Sequence, residues 1–164
     1  MVALGAEVTL EGPAGERTIP ASALYNDDGM KFVTKRPDEL LTSVTLPAPG
    51  GWKAVYRKVR RRGSFDFPVL GTAVWARLAG GNGEGPVVED IRIVLGAVAS
   101  FPLRCRAAED LLRGKPLSEE TVRAAAEAAW RPAKPMDNTD LTLQWRKEMV
   151  KVEVARALRE IAAR

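Results

Sequence analysis

Three charged side chains spaced four apart stand out for the chemistry they offer: Lys58, Arg62 and Asp66, within Tyr56-Arg57-Lys58-Val59-Arg60-Arg61-Arg62-Gly63-Ser64-Phe65-Asp66. Lys58 closes an alternating run from Trp52 to Val59 in which Trp52, Ala54, Tyr56 and Lys58 share one face. Read from the residues alone, it is a solvated lysine at a strand end. Arg62 and Asp66 flank the turn that follows, and Asp66 can accept from Arg60, Arg61 or Arg62 to hold that turn in shape. An exposed pair of this kind contributes only about 0–1 kcal/mol, so its value is positional. Two adjacent carboxylates, Asp27 and Asp28, lie in Tyr25-Asn26-Asp27-Asp28-Gly29 with no further ligand spaced near them. They read as a turn, with Gly29 supplying a positive φ.

Composition narrows the options. With no histidine, the commonest general base and metal ligand are missing. The single cysteine, Cys105, cannot close an internal disulfide, and no CxxC occurs, which argues against structural zinc or a cysteine-ligated iron–sulfur cluster within this sequence. A reducing, cytoplasmic setting fits. The net charge is +4, but basic and acidic residues interleave rather than form a stripe, which argues against nucleic acid as a partner. No apolar run reaches the roughly 20 residues of a membrane span, and no signal-peptide pattern opens the sequence.

The elements that would position these residues read as strands first and helices after. Ala6 to Leu10 and Arg17 to Pro20 form a hairpin around Gly12-Pro13-Ala14-Gly15-Glu16. Residues 21–36 are loop-like. Leu40 to Leu46 alternates and is stopped by Pro47, which places Leu41 in a strand, by itself a core position. Val69 to Leu78 reads as a buried strand, with a short helix as the alternative its period allows, and it pairs with Val87 to Val98 around the glycine-rich stretch 80–85. A helix is expected from Leu103 to Arg113 with Gly114 at C′. A second is capped by Ser118, with Glu119 and Glu120 in its first turn. A long final helix is expected after the capping oxygens of Asp137-Asn138-Thr139-Asp140. Four tryptophans, Trp52, Trp75, Trp130 and Trp145, are scattered as core or interface residues. The order predicts an α+β fold: an antiparallel sheet of three or four strands with about three helices on one face.

Several ordered motifs together carry a resemblance. They are Asp38-Glu39-Leu40-Leu41 leading through a strand to Pro47; Tyr56-x-Lys58 followed by Arg62 and Asp66; Gly96-Ala97-Val98-Ala99 with Pro102-Leu103-Arg104 and Glu109-x-Leu111-Leu112-x-Gly114; and Trp145-Arg146-Lys147-x-Met149-Val150. In this order they resemble the C-terminal part of the flavoprotein subunit of molybdenum hydroxylases. That group includes carbon monoxide dehydrogenase medium chains, the flavin part of xanthine dehydrogenases and 4-hydroxybenzoyl-CoA reductase β subunits. The stretch from Tyr25 to Gly29 is similar to the last of these.

The resemblance implies FAD. It places Lys58 near the flavin ring, where a cation stabilises negative charge on the reduced ring and raises its potential. It places Leu41 on the flavin edge, and Arg62 and Asp66 in a loop that can gate nicotinamide access. It implies no catalytic acid or base in this sequence. It implies a molybdenum-bearing large subunit and an iron–sulfur small subunit as partners. Residues 1–35 resemble the last piece of the FAD-binding domain, and 36–164 the C-terminal α+β domain. The glycine-rich loops that hold the FAD pyrophosphate in the family do not precede Met1. The expectation is therefore a truncated or split subunit that needs a separately encoded FAD-binding N-terminal part and binds FAD weakly or not at all alone. The alternatives are a flavin-free α+β interaction module derived from the same fold and a non-functional remnant.

Overall fold

The computed structural model describes every residue from Met1 to Arg164 except Ser64, Asn82, Glu84 and Thr139. Two antiparallel sheets follow one another along the sequence. The first has the order β2-β1-β3, built from β1 (Glu7–Gly12), β2 (Gly15–Pro20) and β3 (Leu40–Thr45). The hairpin between β1 and β2 turns at Pro13 and Ala14, with Gly12 opposite Gly15. Gly15 has a φ of 101°, which only glycine tolerates readily. The sheet's small core is Ala6, Val8 and Leu10, closed by Ala21 and Leu24 of a short 3₁₀ turn. β3 pairs with β1 (Val8 opposite Val44, Leu10 opposite Leu41) and leaves its other edge open.

The turn into β3 is fixed by one carboxylate. Glu39 is 2% exposed. It accepts from Arg17 Nε at 2.7 Å and Nη2 at 2.9 Å, from Arg36 Nε at 2.9 Å and from the Arg36 amide at 2.7 Å. The Arg17 guanidinium, then the Arg36 amide, hold its carboxyl far below the ordinary carboxylate range. The acidic turn noted in the sequence is thus a structural clasp between β2 and β3.

The second sheet has the order β4-β5-β6-β7, from β4 (Lys53–Val59), β5 (Leu70–Ala79), β6 (Val87–Gly96) and β7 (Leu103–Arg104). Three helices, α1 (Arg106–Leu112), α2 (Glu119–Trp130) and α3 (Leu143–Ala162), cover one face. Period-two alternation sends Val55, Leu70, Val74, Ile91, Ile93 and Leu95 into the layer between sheet and helices. Val122, Val150, Val154, Leu158 and Ile161 meet them from the helices. The α+β expectation holds, with four strands and three helices on one face.

Local details depart from the sequence reading in three places. Leu103 and Arg104 pair with Leu95 and Val94 as a strand, so α1 begins only after Cys105. The cap of α3 is Thr142, whose Oγ1 accepts from the Trp145 amide at 3.2 Å, and not the Asp137–Asp140 run; Thr139 lies outside the described residues. Gly29 does not adopt a positive φ; instead Asp28 Oδ1 accepts from the Met30 and Lys31 amides at 2.7 and 3.0 Å. Two other readings stand: Ser118 caps α2, and Gly114 follows α1 with a φ of 73°. Burial pushes the Cys105 thiol up to about 12, so it packs as a small hydrophobe.

One buried cation ties the loops at one end of this layer together. Arg146 on α3 is 2% exposed. It donates Nε to the Val69 carbonyl at 3.0 Å, Nη1 to the Met136 carbonyl at 2.7 Å and Nη2 to the Ala97 carbonyl. Ala97 itself has a φ of 65°, unusual for a residue with a Cβ. Among the described residues, no helix is long and apolar enough to cross a membrane. Also among them, no group of three or more His, Cys, Asp or Glu is arranged to hold a metal ion.

Candidate functional site

β4 is an edge strand whose alternation divides its charges between two faces. Arg57 points under the helices, where it donates to Glu153 at 2.7 Å and to Glu160 at 3.0 Å on α3. Lys58 and Tyr56 therefore leave the strand on the other face, which the helices do not cover. At one end that face is occupied by Trp52 and Trp75, stacked with centroids 4.1 Å apart, and by Arg92 lying over both rings. Gly5 packs directly on the Arg92 guanidinium, with no room there for a Cβ.

The other end of the face is open. A cleft of about 320 Å³ lies between it and the N-terminal segment. Gly71, Ala73, Val94 and Gly96 line the sheet side, and Gly71 stands opposite Gly96 across the β5–β6 ladder. A Cβ at Gly96 would meet nothing within 4 Å, so the absence of a side chain there leaves space above the sheet. Tyr56 borders the cleft and is 64% exposed. Its Oη would lie 3.1 Å from a Cβ at Gly71, so the phenol lies across that glycine. Met1, Val2, Ala3 and Tyr25 form the facing wall, and Pro68 and Pro102 contribute to the rim. A floor of glycine and alanine beside an exposed phenol suits a flat, largely apolar ring.

None of the four residues singled out by sequence lines this cleft. Lys58 is exposed at the cleft's margin: its strand partner Gly71 and its same-face neighbour Tyr56 line the cleft, while Lys58 does not. Among the described residues no carboxylate pairs with it. Arg62 and Asp66 meet in the loop that leads from β4 toward Pro68. Asp66 accepts from the Arg62 and Arg61 amides at 2.8 and 3.1 Å, from Arg62 Nη2 at 3.2 Å and from the Phe67 amide at 3.0 Å. The Arg62 amide is the main cause holding its carboxyl below the ordinary range. A further pair, Arg61 to Asp140 at 2.7 Å, ties this loop to the segment before α3. Leu41 lies in the other sheet, on its open-edged strand β3, and is half-exposed.

Tyr25 lines the cleft, whereas Asp28 turns its own loop and Asp27 accepts from the Ser100 hydroxyl. Sequence reasoning assigned no role to Tyr56, Gly71 or Gly96. Tyr56 was within reach, because it shares the Lys58 face two residues earlier. The glycine pair was not, because only the β5–β6 register brings the two together.

A four-stranded sheet thus carries helices on one face and a small-residue cleft on the other, and an open-edged three-stranded sheet precedes it. Residues 54–161 match the CO dehydrogenase flavoprotein C-terminal domain, and the chain belongs to that family. The resemblance to the carbon monoxide dehydrogenase flavoprotein family read from the motifs is thereby confirmed. The chain is 28% identical over 162 residues to the glyceraldehyde dehydrogenase medium chain of Sulfolobus acidocaldarius, covering 99% of this chain and 55% of that one. It is 32% identical over 166 residues to the carbon monoxide dehydrogenase medium chain of Hydrogenophaga pseudoflava, covering 99% and 54%. Its structure superposes on a carbon monoxide dehydrogenase from the same organism with a TM-score of 0.89 at 34% identity, covering 99% of this chain and 54% of that one. The chain thus spans about half the length of the relatives it matches.

Proposed function

We propose that this chain is the C-terminal piece of the FAD subunit of a molybdenum-containing hydroxylase or reductase, and that the open cleft on the second sheet covers the flavin ring. The observation that carries this reading is the Gly71–Gly96 floor flanked by Tyr56, with Lys58 at the margin. FAD, when bound, supplies electron transfer between iron–sulfur centres and an external acceptor or donor. The chain's own residues position the ring and set its electrostatics. Tyr56 and the glycine floor offer it flat apolar contact. The Lys58 ammonium favours the negatively charged, reduced ring. Leu41 packs on the ring's edge from the first sheet. The Asp66 carboxylate, by gathering the Arg61 and Arg62 amides, fixes the loop that borders access. The partners are a molybdenum-bearing large subunit and an iron–sulfur small subunit, in the cytoplasm.

The pyrophosphate site and the rest of the FAD-binding domain lie, in this reading, in an FAD-binding N-terminal part. Residues 1–35 are the closing piece of that domain, and β3 lies in the same sheet as they do. The open edge of β3 supports this. Leu40 is 73% exposed, and Leu41, Val44 and Leu46 are also uncovered. Native proteins pair or cover an apolar edge of this kind.

The test is reconstitution. The chain should leave gel filtration colourless when incubated with FAD alone, and yellow when the complementary N-terminal half is supplied. Failure of that half to confer FAD retention would favour the flavin-free interaction module instead.

A further inference from the structure

The helical side of the molecule carries a second concavity that the flavin reading leaves unused. A groove of about 970 Å³ runs between α1 and α2. Its floor is formed by Ala107 and Leu111 on α1 and Ala124 and Ala128 on α2, each pair spaced i, i+4 and so aligned along its helix. Leu111 is the telling residue. In the motif Glu109-x-Leu111-Leu112-x-Gly114, every other named position has a task within this chain. Glu109 is buried and accepts from the Ile93 amide at 3.0 Å and from Arg104 Nη2 at 2.8 Å. Leu112 is fully buried, and Gly114 takes the positive φ after α1. Leu111 alone points outward, 40% exposed, into the groove.

The rim is basic. Arg106 and Arg131 border the floor, and among the described residues neither pairs with a carboxylate. Arg104, half-buried and already bound to Glu109, adds a third guanidinium, against one lining carboxylate, Glu127. Apolar floor and arginine rim together match the make-up of protein interfaces, where arginine is enriched and lysine depleted. An open slot between two helices takes the apolar face of a further segment, and the rim charge selects one bearing carboxylates.

We infer that the α1–α2 groove is the docking site for an acidic, apolar-faced segment of a partner subunit. This rests on the reading of the chain as one subunit of a larger assembly. The experiment uses the co-expressed complex. R106K and R131K keep the rim charge and add primary amines, which a carbodiimide couples to carboxylates in contact. Peptide mapping should find each of these positions joined to an acidic peptide of another subunit. Leu111→Glu and the double variant R106E/R131E should weaken assembly by about tenfold or more while leaving the monomer's unfolding midpoint unchanged. An intact complex with cross-links elsewhere but none at these two positions overturns the docking site and leaves the subunit reading standing. Cross-links only between two copies of this chain assign the groove to self-association and overturn the heterologous partner. Absence of any complex overturns both readings.

Discussion

Lys58 stands opposite Gly71 across the β4–β5 ladder, so its amine leaves the sheet on the face whose floor that glycine forms. The geometry gives the amine a way to act on a cleft occupant without filling the cleft. Lys58→Ala should therefore lower the midpoint potential of flavin bound to the reconstituted subunit, while Lys58→Arg keeps it near the parent value. A unit charge at 4 Å interacts by about 1–4 kcal/mol between water and a protein surface. At about 30 mV per 1.4 kcal/mol for a two-electron couple, the shift is roughly 20–90 mV. Spectroelectrochemical titration reads it, and an unchanged potential removes Lys58 from the site.

Gly96 tests the cleft independently of charge. Because a Cβ there meets no atom within 4 Å, Gly96→Val should fold normally and raise the floor into the cleft. We expect an unfolding free energy within about 0.5 kcal/mol of the parent and FAD retention by the reconstituted subunit lowered about tenfold or more. Equal FAD retention would place the ring elsewhere.

The clasp around Glu39 makes a prediction about pH. Its folded-state carboxyl lies below the unfolded value of 4.5, held there first by Arg17. A group depressed on folding stabilises the native state fully above its unfolded value and loses that contribution as pH falls below it. Stability in urea should therefore fall as the pH drops from about 5 towards about 3. Glu39→Gln should be less stable near neutrality and show a flatter profile. A parallel profile in the variant would assign the acid sensitivity to other carboxylates.

Thr72 lies fully buried on the helical face of β5, and its hydroxyl has no partner among the described residues. Leaving such a group unsatisfied costs about 1–3 kcal/mol. Thr72→Val removes the hydroxyl in a residue of similar shape suited to strands. The expected gain is about 1 kcal/mol in a denaturant titration, with flavin retention unaffected because the change faces away from the cleft.

The sequence was most legible where structure is local. The hairpin at Pro13-Ala14, the Ser118 cap and the Gly114 stop each rest on residues a few positions apart. The β5–β6 pairing followed from two apolar runs around glycines. Reading failed where two local signals compete or where distant residues meet. Asp137 to Asp140 offers capping oxygens before Thr142 does, and only the path of the segment into α3 decides between them. Leu103 and Arg104 continue a helical pattern, yet the edge of β6 captures them as a strand. Of the candidate site, the shared face of Tyr56 and Lys58 was visible as alternation. The opposition of Gly71 and Gly96 was not, since neighbouring strands set it. Nor was the meeting of Glu39 with Arg17, since β1 lies between β2, which carries Arg17, and β3, which Glu39 precedes.

Arg146 has a consequence for how this molecule can change. From α3 it grips the carbonyls of Val69 and Ala97, and Val69 directly follows Pro68 at the cleft's rim. The planar guanidinium satisfies several acceptors at once, which the compact ammonium of lysine cannot reproduce. The mouth of the cleft is thus sculpted from the opposite side of the sheet. Descendants of this chain can retune what fits there by drifting at a helix position that never meets the occupant.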